Sequence, residues 1–276
     1  MKKIAVIPNS TKDKDYRFTK ELVSVLSGRA EVFLPEAERG SGLNAVFKGD
    51  DLFEDADGVI ILGGDGTMLQ VAEPCGRNGI PVMGINLGKI GFMTEVEVED
   101  MRSACDRMLS GDYEVEKRMM MEITVEGDSQ RQVFTALNDA VISKTDAEMI
   151  STELFANDEK VSEYISDGLI ISTPTGSTGY SLSAGGPVAD PVMELFIATP
   201  ICAHMLAARP MLLSSQKTIG VRLSDGGNRT ATLTVDGEDK CVLHVSDRII
   251  VRRSVNSLKI IKLGKQSFYY TMMTKL

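Results

Sequence analysis

The chain has 276 residues, room for one large or two modest domains with a real hydrophobic core, and that excludes a short scaffold held together by disulfides. Lys and Arg number 30 against 39 Asp and Glu, a formal net charge of −9, which argues against gripping a nucleic-acid backbone or an anionic membrane through bulk charge. At 43% apolar and 25% charged residues the composition is that of a soluble globular protein and too apolar for disorder.

Met1-Lys2-Lys3 followed by Ile4-Ala5-Val6-Ile7 mimics the start of a signal peptide, but the apolar run ends at Pro8, so the spacing predicts a first strand. Phe18, Leu22, Val25 and Leu26 then recur at helical intervals. Val59-Ile60-Ile61-Leu62 reads as a buried strand, and Met68, Leu69, Val71, Ala72 and Cys75 as one face of the helix after it. Pro81 to Ile85 is a further short strand. The acidic run Glu95 to Asp100 predicts the solvated first turn of a helix carrying Val98, Met101, Cys105, Met108 and Leu109. Strands alternating with helices imply a mainly parallel, doubly wound α/β domain over residues 1–115.

From Glu116 the period changes. Met119–Val125, Val133–Ser143, Met149–Phe155, Leu169–Ser172, Thr218–Leu223, Thr230–Val235 and Ile249–Val251 read as strands, with turn residues at Glu126-Gly127-Asp128, Asn157-Asp158 and Asp225-Gly226-Gly227-Asn228. Residues 116–276 therefore read as a β-rich domain, with a C-terminal tail that can return to the first domain. Phe196 to Ala208 is apolar but interrupted by Pro200 and His204, well short of the roughly 20 residues a membrane span needs. Cys75, Cys105, Cys202 and Cys241 show no CxxC spacing and read as reduced, mostly buried thiols of a cytoplasmic protein. His204 follows Cys202 by two positions without a third metal ligand at suitable spacing, and no HExxH occurs, so any metal must arrive with a ligand.

Chemistry concentrates in two segments. The first is Gly63-Gly64-Asp65-Gly66-Thr67, directly after a buried strand and before a helix, where glycines let the backbone approach a ligand and helix-start amides attract phosphate. Neither GxxxxGK[ST] nor a third glycine of GxGxxG is present. Asp65 would repel a bound phosphate unless a divalent cation or a substrate hydroxyl stood between them, which points to phosphoryl transfer; the alternative is an Asp capping a helix that begins near Thr67. The second segment runs from Asp167 to Pro191 and holds Ser172, Thr173, Thr175, Ser177, Thr178, Ser181 and Ser183 with Tyr180. Hydroxyls that donate and accept, beside an aromatic face, suit a polyhydroxylated, aromatic ligand.

Gly63 to Thr67, Asn138-Asp139 and Ser172-Thr-Pro-Thr-Gly-Ser-Thr-Gly-Tyr180, in this order and spacing, resemble the NAD kinase family over nearly the whole chain. Leu87 to Thr94, Pro200 to His204 with Ala208-Arg209-Pro210, and Val235-Asp236-Gly237 add to the likeness. The resemblance implies transfer of the γ-phosphoryl group of ATP to the 2′-hydroxyl of the adenosine ribose of NAD, giving NADP, with Mg²⁺ or another divalent cation arriving with ATP. It implies an N-terminal doubly wound α/β nucleotide-binding domain followed by a β-rich, β-sandwich-like domain, and makes Asp65 the catalytic carboxylate and Gly63, Gly64, Gly66 and Thr67 the phosphate loop. Asn138 and Asp139 would contact the adenosine half of NAD, Thr178, Gly179, Tyr180 and Ser183 its adenine, and Asp167 the nicotinamide end, with Cys202 and Glu238 peripheral. The implied assembly is a homodimer or homotetramer, with no nucleic-acid or membrane partner.

Two positions depart from the family pattern: Asp139, where Glu is usual, and Gly179, where Ala is common. Lys144 to Ser151 has no basic residue after Lys144, so a phosphate-binding cation must come from elsewhere. A lipid kinase of the diacylglycerol type and a non-catalytic dinucleotide sensor remain as alternatives.

Overall fold

Ile4 to Ile7 and Val59 to Leu62 are buried along their whole length, the mark of strands covered on both faces. The computed structural model describes residues 1–88, 91–127, 131–205, 207–224, 229–264 and 267–275. Lys89 and Ile90, Asp128 and the expected Asp225–Asn228 turn lie outside the described residues. The chain divides into two compact units, residues 1–117 with 257–276, and residues 118–256.

In the first unit β1 (Lys3–Pro8), β2 (Glu31–Pro35), β3 (Val46–Lys48), β4 (Gly58–Gly63) and β5 (Pro81–Asn86) form a parallel sheet in the order β5-β4-β1-β2-β3. The short β6 (Val96–Glu97) adds to β5. Because strand side chains alternate, Ile4, Val6, Ile60 and Leu62 share one face, where α1 (Arg17–Leu26) and α3 (Met101–Ser110) cover them with Leu22, Leu26, Cys105 and Met108. Ala5, Val59 and Ile61 are buried on the other face. Between β4 and β5 runs α2 (Asp65–Asn78), whose buried stripe of Met68, Val71, Ala72 and Cys75 lies outside that cluster.

The acidic run behaves differently from its expected solvated turn at one position. Glu95 is buried, paired with Lys262, and accepts the backbone N–H of Leu263. The pairing offsets the cost of taking this side chain out of water.

The second unit is built from antiparallel strands. β7 (Glu114–Glu126), which crosses into it at Arg118, pairs with β8 (Arg131–Ala136). β9 (Asp139–Lys144), β10 (Ile150–Ala156), β11 (Glu159–Ser166) and β12 (Gly168–Ser172) follow. After the one-turn helix α4 (Tyr180–Ser183) come β13 (Leu195–Ile201), β14 (Met211–Ser214), β15 (Ile219–Leu223), β16 (Ala231–Val235), β17 (Glu238–Leu243) and β18 (Arg248–Lys262). One sheet has the order β14-β13-β12-β9-β16-β17, and β11, β10, β15 and the first part of β18 form the other. Ala140, Ile142 and Leu169 from the first and Leu154, Val221 and Ile249 from the second share one core. Asn157 and Asp158, both with positive φ (52° and 66°), make the tight turn of the β10–β11 hairpin.

Two expected runs are recast. Val133–Ser143 is two strands, interrupted at Leu137-Asn138, where the backbone amides bond to a side chain instead of a neighbouring strand. The apolar segment from Phe196 is a central strand despite Pro200. β14 pairs only with Leu195 to Ala198, so the missing N–H of Pro200 falls where that ladder has ended.

The chain then returns to the first unit. Lys259 and Ile260 of β18 pair in parallel with Pro81 and Val82 of β5, and α5 (Phe268–Lys275) follows. Cys75 and Cys105 are buried thiols, the latter pushed up to about 12 by desolvation, whereas Cys202 is exposed. Among the described residues no helix is long and apolar enough to cross a membrane.

Candidate active site

Asp65 is the first residue of α2, two positions ahead of the expected start at Thr67, and Gly64 caps the helix in an extended conformation. The Asp65 side chain does not cap its own helix. Its Oδ2 accepts the backbone N–H of Phe92 at 2.8 Å and its Oδ1 that of Met93 at 3.0 Å. Gly91 is required beside it, since a Cβ there would stand 2.0 Å from Asp65 Oδ1. Each carboxylate oxygen has a second lone pair, so Asp65 can still accept a hydroxyl proton or meet a cation.

Gly63 is equally tight, whereas a Cβ on Gly66 would meet nothing within 4 Å. A Cβ on Gly63 would stand 2.2 Å from Thr67 Oγ1, and that oxygen accepts a hydrogen bond from Asn9 Nδ2 at 3.0 Å. Asn9 also donates its backbone N–H to Leu62 O and accepts from the amides of Lys12 and Asp13, which folds the β1–α1 loop against the end of β4. The fold thereby brings up Lys12, a residue that no sequence motif marks. Lys12 Nζ lies 3.4 Å from the position a Gly64 Cβ would take, and among the described residues Lys12 has no carboxylate at ion-pair distance. With helix-start amides and an ammonium group, this loop can hold phosphate.

In the second unit, Asn138 directly precedes β9 and Asp139 opens it, paired in register with Ser172 at the end of β12. Asp236 organises this end of the sheet. It takes the first position of the two-residue turn joining β16 and β17, with φ 48° followed by Gly237 at 84°. Its carboxylate accepts the N–H groups of Leu137 (2.7 Å), Asn138 (2.8 Å) and Asp139 (3.1 Å). Burial raises Asp236 above the usual carboxylate range even though these three amides oppose it. Burial first, and the charge of Asp236 second, push Asp139 up to about 7. Asn138 Oδ1 is buried without a hydrogen-bond partner among the described residues. A buried amide oxygen left unsatisfied is costly, and a ligand donor would relieve it.

The hydroxyl-rich loop lies over this pair. Thr173 donates to Leu137 O at 2.5 Å and its N–H to Asn138 O at 2.8 Å. Gly176 passes so close that a Cβ would stand 2.3 Å from Asn138 O. Ser177 exchanges hydrogen bonds with the backbone of Ala189, and Ser181 bonds to Thr199. Much of the expected ligand-facing set therefore holds the loop itself, and Ser172 and Thr175 are buried. A Cβ on Gly179 would lie 3.8 Å from Asp139 Oδ2 and 3.9 Å from Asn138 Nδ2. Tyr180 is 48% exposed, and Ser183, one turn on in α4, is exposed as well. Thr178 is half-buried and bonds only weakly to Thr175 O, at 3.4 Å. Glu238, just past the Asp236-Gly237 turn, is exposed and paired with Lys240 at 2.6 Å.

Asp167 and Cys202 stand elsewhere. Gly168 pairs with Ile201 and Ser143, so both residues sit at the opposite end of β12 from Asp139. Asp167 is paired with Lys144 at 2.6 Å. Among the described residues no three His, Cys, Asp or Glu side chains cluster as a metal site.

Comparison with known proteins gives this geometry its context. Residues 50–113 match the model of the ATP-NAD kinase N-terminal domain and residues 137–263 that of the C-terminal domain. An NAD kinase of Thermoanaerobacter sp. (strain X514) is 39% identical over 281 residues, covering 100% of this chain and 99% of the relative. One from Lachnoclostridium phytofermentans is 36% identical over 283 residues, again covering 100% and 99%. Among solved structures, yeast NADH kinase complexed with NADH superposes with a TM-score of 0.89 at 21% identity, covering 100% of this chain and 87% of that one. An NAD kinase from Archaeoglobus fulgidus in complex with ATP gives 0.74 at 24% identity, with 99% and 98% covered. At those identities the structural likeness is one of fold. Both family domains and the full-length relatives carry the assignment, and the chain belongs to the NAD kinase family.

Proposed function

We propose that this NAD kinase uses Asp65 to orient and deprotonate the 2′-hydroxyl of the adenosine ribose of NAD as that oxygen attacks the γ-phosphorus of ATP. A bond forms between the ribose oxygen and phosphorus, the bond from phosphorus to the β–γ bridging oxygen breaks, and ADP leaves. The hydroxyl proton passes to the Asp65 carboxylate and on to solvent. The observation that carries this reading is the carboxylate at the β4–α2 junction, aimed by two backbone amides rather than used as a cap. Phosphoryl transfer asks mainly for positioning and charge stabilisation, which such a fixed acceptor supplies.

Gly63, Gly64, Gly66 and Thr67 form the phosphate loop, and Lys12 supplies the phosphate-binding cation that residues 145–151 do not offer. ATP arrives with a divalent cation, which neutralises its phosphates. Asp65 is the side chain of this chain suited to meet it, since both its oxygens keep a free lone pair. Asn138 and Asp139 hold the adenosine half of NAD, the former through its unpartnered Oδ1. Thr178, Gly179, Tyr180 and Ser183 hold the adenine, Asp167 meets the nicotinamide end, and Cys202 and Glu238 make peripheral contacts. The full-length likeness to NAD kinases leaves the lipid-kinase and sensor alternatives without a favouring observation. The enzyme is a cytoplasmic homodimer or homotetramer; the buried free thiols support the first statement and the family resemblance the second.

Incubating the purified chain with ATP, Mg²⁺ and NAD should yield NADP, and no NADP at any donor concentration would sink the reading. Lys12→Ala should raise KM for ATP by about tenfold, the scale of one charge-assisted phosphate contact, and leave KM for NAD unchanged. Equal ATP kinetics in variant and wild type would remove Lys12 from the donor site. Tyr180→Ala should weaken NAD binding by about 1 kcal/mol, several-fold by calorimetry, with little change in kcat. An unchanged NAD titration would leave Tyr180 as a solvated ring with no stacking role.

A further inference from the structure

Residues 91–95, which supply both amides that aim Asp65, form neither helix nor strand. Backbone donors can orient a carboxylate only as well as they are themselves held. Contacts on this segment come from the far end of the chain. The ring of Phe268 in α5 lies 5.9 Å from that of Phe92, inclined at 47°, and Lys275 Nζ lies 5.1 Å from the centroid of the Phe92 ring. Phe268 and Lys275 are seven positions apart, two turns of α5 on one face, so a single helix meets one ring at two points.

We propose that α5 is a buttress for the catalytic carboxylate: Phe268, assisted by Lys275, fixes Phe92 and through its backbone N–H positions Asp65. The proposal rests on the reading of Asp65 given above and adds Phe268 as a positioning residue that touches no substrate. Tilted aromatic rings and an ammonium over a ring face are directional contacts, so they set the angle of Phe92 as well as burying it. A shift of the Phe92 and Met93 amides moves both oxygens of Asp65 together, and reactions that depend on alignment are sensitive to displacements of that size.

The test measures Phe268→Ala and Phe268→Leu as full-length proteins, by NADP formation, thermal melting and amide hydrogen exchange. Phe268→Ala should lower kcat by about tenfold with KM for ATP changed less than about twofold, and should speed exchange at the Phe92 and Met93 amides while β4 stays protected. Phe268→Leu, which keeps an apolar contact on Phe92, should recover most of the rate. If Phe268→Ala does not fold, Lys275→Ala gives the same local exchange signature on an exposed residue with a rate loss of a few fold. Wild-type kcat in both variants would overturn the proposal. So would a loss of rate that follows the fall in melting temperature, with exchange raised throughout the first unit. A wild-type chain that forms no NADP would instead overturn the kinase reading, a result distinct from a failed Phe268 effect.

Discussion

Asp65→Asn should lower kcat by about a hundred- to ten-thousandfold, the range lost when a positioned general base is removed. Asn preserves the shape of Asp but offers one acceptor oxygen in place of two, and its amide group carries no charge. Either the Phe92 or the Met93 N–H then faces an NH₂, and an amide left unpaired costs about 1–3 kcal/mol locally. The variant should therefore bind NAD with nearly wild-type affinity in calorimetry, melt slightly lower, and exchange one of those two amides faster. Near-wild-type kcat would take Asp65 out of the mechanism.

The second large effect is expected at Asp139. A hydrogen bond to a charged group contributes roughly 1.5–3 kcal/mol, so Asp139→Ala should weaken productive NAD binding by roughly ten- to a hundredfold, with Asp139→Asn in between. Asp139→Glu should stay active if the space under Gly179 takes one more methylene; a Cβ on Gly179 would already be 3.8 Å from Asp139 Oδ2.

Burial and the neighbouring Asp236 hold the Asp139 proton up to about 7, against an ordinary 3.8. A ribose hydroxyl donates best to the ionised form, so KM for NAD should fall as pH rises from about 6 to about 8, and Asp139→Asn should flatten that profile. Stability runs the other way. Because the folded chain binds this proton more tightly than the unfolded one, the Asp139 contribution declines as pH rises from 3.8 through about 7 and is level above. Should all three substitutions lower the melting temperature and leave KM for NAD untouched, Asp139 only closes a turn beside Asn138.

The glycine-rich segment and its flanking elements were legible because glycines, a buried apolar run and a helical stripe each leave a compositional trace. The partners of Asp65 were not, because they are main-chain amides 27 and 28 positions away, and every residue carries one. Asp236 was legible only through the likeness of Val235-Asp236-Gly237 to the family, and its role in gathering the amides of Leu137 to Asp139 was not, because it depends on which strand folds beside that turn. Lys12 left no signal, since only the folding of Asn9 against Leu62 and Thr67 brings that loop to Gly64. The hydroxyls after Ser172 were read as ligand groups because composition cannot tell an internal bond from an external one. β11 and β17 passed unseen because they are polar strands whose hydrophobic alternation is thin.

Those internal bonds of the hydroxyl-rich loop bear on the thermodynamics of recognition. Fixing a residue's backbone costs about 1–2 kcal/mol, so ordering residues 172–180 only when a ligand arrived would consume about ten kcal/mol, more than the roughly 8 kcal/mol of a micromolar complex. Thr173, Ser177 and Ser181 meet that entropy loss during folding, through bonds to Leu137, Ala189 and Thr199. A dinucleotide binding at this loop, as proposed, would meet a segment already ordered, its association free of a slow ordering phase and its affinity free of a disorder penalty.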